Sequence, residues 1–123
     1  MPEEVSIDAT NGIIVVRSWG HITPSDMISS RDKIFEIYDE TKIDKVLIDG
    51  RKQQSFLKAI DTYEYSEEIG KDSRSRKIKY AIVPSKDSIE DLNFLETASQ
   101  NRGLSVMIHE SMESAKSWLK NFA

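Results

Sequence analysis

Lys45-Val46-Leu47-Ile48-Asp49-Gly50-Arg51 is the stretch on which the fold turns. Val46 to Asp49 reads as a short buried strand that ends in a carboxylate, and a glycine and a basic residue follow. The polar run after them, residues 52–55, carries no periodic pattern and reads as loop. In an open α/β sheet, ligands and partners usually bind in the crevice beyond the carboxyl end of a central strand. Asp49 and Arg51 are therefore the first candidate binding residues, with Ser55 just beyond them.

Upstream, Val5-Ser6-Ile7-Asp8 alternates apolar and polar, and Ile13 to Trp19 is a β-branched run. Thr10-Asn11-Gly12 lies between them; Asn-Gly tolerates positive φ and signals a hairpin. Thr23-Pro24-Ser25-Asp26 carries a cap, a first-turn proline and an acid that complements the helix dipole. Met27, Ile28, Ile34, Phe35 and Tyr38 then share a helical stripe with the stem of Arg31, and the helix ends near Asp39-Glu40-Thr41. A helix between two strands on this spacing implies a crossover and parallel pairing.

Downstream, Asp61-Thr62-Tyr63-Glu64 has the capping spacing of a second helix running to about Gly70. Residues 78–83 form a strand stopped by Pro84, and Asp87-Ser88-Ile89-Glu90 opens a third helix with the stripe Ile89, Leu92, Leu95 and Ala98 or Ser99. Gly103 ends it, residues 104–108 are the last strand, and Ser111 caps a final helix docked through Ala115, Trp118, Leu119 and Phe122. The order is β-β-α-β-α-β-α-β-α over residues 1–123: one α/β domain, a mixed and mostly parallel five-stranded sheet with four helices and the first strand as an antiparallel edge.

Composition narrows the function classes. A chain of 123 residues with 38% hydrophobic and 31% charged residues is expected to fold as one domain without a staple. It has no cysteine, so disulfides, thiolate metal sites and cysteine nucleophiles are excluded. An acidic start and no long apolar run point to a cytoplasmic protein with no secretory signal and no membrane span. The net charge of −4 argues against a nucleic-acid partner, and the basic run at residues 71–79 reads as a solvated loop.

The chemistry-bearing residues do not assemble into a recognisable set. The five glycines are scattered and form no phosphate loop, so no nucleotide cofactor is expected. His21 and His109 lack companions at ligand spacing, so neither a metal nor a histidine-centred catalytic site is expected, and the chain reads as a non-enzyme. Asp49 could orient Arg51 or accept backbone N–H groups from the residues that follow. Of Tyr63 and Tyr65, one should be exposed on the second helix, because residues two apart do not share a helical face.

The whole chain resembles the small bacterial STAS-like proteins, related in fold to anti-sigma-factor antagonists and grouped with lipid-binding SEC14-type domains. The resemblance lies in Val46-Leu47-Ile48-Asp49-Gly50-Arg51, Asp61-Thr62-Tyr63-Glu64, Phe94-Leu95-Glu96-Thr97-Ala98 with Asn101-Arg102-Gly103, and Glu113-Ser114-Ala115-Lys116-Ser117-Trp118-Leu119. It implies a non-enzymatic domain with helices largely on one side of the sheet. Anti-sigma-factor antagonists carry a phosphorylatable serine in Asp-Ser-Ser-Gly; the matching region here reads Gln54-Ser55-Phe56-Leu57, so that motif does not carry over.

Two functions are expected from these readings. The first is a regulatory protein-interaction module with its surface at Asp49, Arg51, Ser55, Asp61 and Tyr63. The alternative is a domain that binds a small ligand, a lipid or organic anion, between sheet and helices. The unpaired edge of the hairpin needs covering or charge protection: a homodimer would cover it, and Glu3, Glu4 and Asp8 would protect it in a monomer, so the sequence leaves a homodimer open.

Overall fold

The structure is a computed structural model that describes residues 3–55, 64, 67 and 70–122. Five strands form one sheet: β1 (Glu3–Asp8), β2 (Ile13–His21), β3 (Lys45–Ser55), β4 (Lys79–Pro84) and β5 (Ser105–Ile108). Their spatial order is their chain order, β1 antiparallel to β2 and the other pairs parallel. The described α-helices are α1 (Pro24–Thr41), α2 (Ile89–Gln100) and α3 (Met112–Lys120). The helix expected over residues 61–70, with Asp61 and Tyr63, lies largely outside the described residues, so three of the four expected helices are observed.

Consecutive strand order dictates how the layers stack. Each right-handed crossover that moves one place in the same direction returns its helix to the same face. Met27, Ile34 and Phe35 of α1 and Leu92 and Leu95 of α2 accordingly share one core with Ile14, Val16, Val46, Tyr80, Ile82 and Val106. α3 follows the last strand and crosses to the other face, where Ala115 and Leu119 pack on Ile13, Val15, Leu47, Ala81 and Val83. Among the described strands the order never reverses, so no switch-point crevice opens beside Asp49, where a crevice beyond the strand end was expected.

Local chemistry sets the element ends. Thr23 accepts from the Asp26 N–H at 3.2 Å while the Asp26 carboxylate accepts from the Thr23 N–H at 2.9 Å, a reciprocal cap. The hairpin forms as expected, but through a different turn: Gly12 alone takes positive φ, at 64°, and Asn11 bonds the Asp8 carboxylate through its N–H and its side-chain amide. Ser88, not Asp87, occupies the cap position of α2, and Ile28 and Ile89, expected on buried stripes, are exposed.

The largest departure concerns β3, which runs on to Ser55 instead of ending at Asp49. Its last rung with β4 is Gly50 with Pro84; beyond that it pairs with β2 alone, Trp19 with Lys52, Gly20 with Gln53 and His21 with Ser55. A strand with one neighbour and wet surroundings has no apolar alternation, which is why residues 52–55 read as loop. The register shifts twice along this ribbon, each time leaving an extra residue on β3.

The face under α3 is the thinner of the two, and fully buried Leu119 is its main anchor. Leu119→Ala is expected to cost about 2–5 kcal/mol, read as a lower urea midpoint with an unchanged slope. A cost below about 1 kcal/mol would show that α3 contributes little to that core.

Candidate functional site

The upper end of the β1–β2–β3 layer has two chemically different faces, because alternate residues on a strand point opposite ways. On the face shared with α3, Glu4 pairs in register with Arg17 and Arg17 with Asp49, a row of alternating charge. Arg17 Nη1 lies 3.7 Å from Glu4 Oε1. Arg51 grips Asp49 in a fork, Nε to Oδ1 at 2.8 Å and Nη2 to Oδ2 at 2.9 Å, and its backbone N–H donates to Oδ1 at 3.2 Å. Hydrogen bonds from Arg51 hold the Asp49 carboxyl below the usual carboxylate range.

Asp49 and Arg51 thus belong together as the sequence suggested, with Asp49 both orienting Arg51 and accepting its backbone N–H. They sit mid-strand and not at a strand end. The Asp49 side chain is 15% exposed and that of Arg51 57%, so the pair shows solvent a guanidinium rather than a carboxylate. Trp19, 41% exposed, stands on the neighbouring ribbon opposite Lys52.

Ser55 lies apart from that pair. The β2–β3 register brings its Oγ to 2.8 Å from His21 Nδ1, across 34 residues of sequence. No carboxylate among the described residues bonds the His21 ring, so the contact reads as closure of the ribbon tip. Asp61 and Tyr63 lie outside the described residues. His109 is half-buried against Trp118, with ring centroids 5.4 Å apart, and burial holds its imidazole below the ordinary range while Glu96 pulls the other way.

The opposite face holds residues that the sequence reading missed. Glu3, Ser18, Ser30 and Gln53 are buried polar side chains. Ser30 donates to Glu3 Oε1 at 2.6 Å, and Gln53 Nε2 donates to Ser18 Oγ at 2.9 Å. Gly50 leaves the room this requires: a Cβ there would sit 3.0 Å from Gln53 Cδ. One signal was available, since Ser18 is a polar residue at the inward position that follows Ile14 and Val16. Gln53 could not be found this way, because its strand was not recognised.

Glu3, Ser30 and Gln53 edge a cavity of about 50 Å³ between the sheet and helices α1 and α2, otherwise lined mainly by apolar side chains, with Arg31 and Ser99 also on its wall. Among the described residues no group of three or more His, Asp or Glu side chains could hold a metal ion, and no helix is long and apolar enough to cross a membrane.

Two titrations check this geometry. Burial raises the Glu3 pKa against the opposing Ser30 bond, so the folded chain holds that proton more tightly than the unfolded one. The contribution of Glu3 to stability must therefore fall as pH rises from about 4 through its folded pKa. Glu3→Gln removes this dependence, and the variant should gain on the native chain between pH 4 and pH 7 in urea unfolding. Asp49 has the opposite sign, stabilising at neutral pH and losing its contribution as pH falls through its depressed folded pKa. With Arg51 largely exposed, Arg51→Ala is expected to cost less than about 1 kcal/mol at pH 7 and nothing once Asp49 is protonated. A pH-independent cost would contradict the ion pair.

No protein-family model matches the chain, and no curated protein matches it significantly in sequence.

Proposed function

We propose that this chain is a non-enzymatic interaction module, of the regulatory kind that the STAS-like resemblance implies, working in the cytoplasm. Its contact surface is the open upper half of the sheet face that α3 leaves uncovered. The observation that carries this reading is the presentation of Arg51 and Arg17 beside exposed Trp19, with the Asp49 carboxylate shielded beneath. Trp and Arg are the residues most often found at the energetic centres of interfaces. Guanidinium groups around an indole suit an acidic segment of a protein partner. The location of both described crossover helices on one face also fits the resemblance.

Homodimerisation through β1 is less favoured, since two antiparallel copies of Glu3–Asp8 would oppose Glu3 with Asp8 at both ends. The cavity between the layers favours a second reading, in which the domain carries a small molecule there.

The double variant Trp19→Ala/Arg51→Ala tests the interaction surface. Partner recovery from the native host's extract, quantified against the unaltered chain at matched folding, is expected to fall by more than about thirtyfold and to weaken with salt. Equal recovery of the same partner would remove the function from this face.

A further inference from the structure

An open sheet edge offers its backbone groups to any passing strand, and β5 stands at such an edge, paired with β4 alone among the described strands. The His109 N–H donates to Ile82 O at 2.8 Å, which fixes the alternation along β5. Met107 and His109 turn their backbone groups toward β4, so Val106 and Ile108 turn theirs toward the open side. One group on each is already taken by a side chain of α2. The Ile108 N–H donates to Glu96 Oε2 at 2.6 Å, and Gln100 Nε2 donates to Val106 O at 2.8 Å. Glu96 and Gln100 are one helical turn apart, so α2 brings both to the same edge. A carboxylate that accepts from an N–H makes a charge-assisted bond, stronger than the ladder bond it stands in for.

We propose that Glu96 and Gln100 lock an interaction surface, the β5 edge, whose partner is a second copy of the same strand. The edge is self-complementary. With two copies antiparallel about Met107, Val106 of each faces Ile108 of the other, and their outward backbone groups can exchange hydrogen bonds. Met107 then faces its own counterpart in the close, non-bonded rung. That side chain is 38% exposed and shares the α3 side of the sheet with its register partner Ala81. Ser105–Ile108 contains no charged residue, so this register opposes no like charges, whereas two copies of β1 would oppose Glu3 with Asp8. In the native chain the lock wins. Its bonds are intramolecular, whereas a dimer replaces them with backbone bonds in equal number and also gives up translational freedom. The inference is independent of the Trp19 surface, which lies at the other end of the strand order.

Sedimentation velocity on the full chain, across a dilution series, tests the lock. Glu96→Ala/Gln100→Ala is expected to dimerise at least about tenfold more tightly than the native chain. Adding Met107→Lys sets like charges opposite in the close rung and should return the double variant to native sedimentation. Glu96→Gln keeps an acceptor for the Ile108 N–H and should sediment as the native chain does. A folded double variant with native sedimentation, even at lower stability, would overturn the lock and leave both residues as struts between α2 and β5. Dimerisation that survives Met107→Lys would overturn β5 as the surface. If the double variant does not fold, Glu96→Ala alone, with and without Met107→Lys, decides by the same readings.

Discussion

The pairing of β3 with β2 along its full length is the constraint on which the rest depends. Up to Asp49 the rungs are regular, Ile14 with Val46 through Arg17 with Asp49. Beyond it two extra residues on β3 shift the register, and that shift decides what each later side chain meets. Gln53 turns into the helix-covered layer, and Ser55 reaches His21. Gly50 is part of the same constraint, because the folded-back Gln53 side chain occupies the space a Cβ would need.

One local event thus divides the upper sheet into two surfaces with different physics. Outside, charges neutralise one another in water, where each pair contributes little and its value is presentation: a guanidinium outward, a carboxylate beneath. Inside, Ser30 donates to Glu3 and the Gln53 amide nitrogen to Ser18 away from solvent, where an unmet group is costly and Gln53 Oε1 has no hydrogen-bond partner among the described residues. An interaction surface suits the first condition and a small-molecule site the second. The two readings are independent because they use opposite faces of the same strands.

Much of the architecture was legible because periodicity and capping are local. The hairpin, the crossover-linked strands, the Thr23 and Ser111 caps and the seam of Ala115 and Leu119 all follow from neighbouring residues. The candidate site was half legible. Asp49 and Arg51 are two residues apart and find each other locally; the contact of Ser55 with His21 and the buried quartet depend on register across sequence separations of 27 to 35 residues. Residues 52–55 were the specific obstacle, for a two-stranded ribbon exposed to water leaves no hydrophobic alternation to read. Strand order was illegible for a similar reason: it is a property of crossovers, and it removed the crevice on which the first placement of the site relied.

The most direct test of this account is the β2–β3 register in solution, read from cross-strand nuclear Overhauser contacts on the labelled chain. The structure predicts contacts of Gly20 with Gln53 and of His21 with Ser55. An unshifted ladder, continuing from Arg17 and Asp49 to set His21 opposite Gln53, would contradict it and would remove both the His21–Ser55 contact and the inward amide of Gln53.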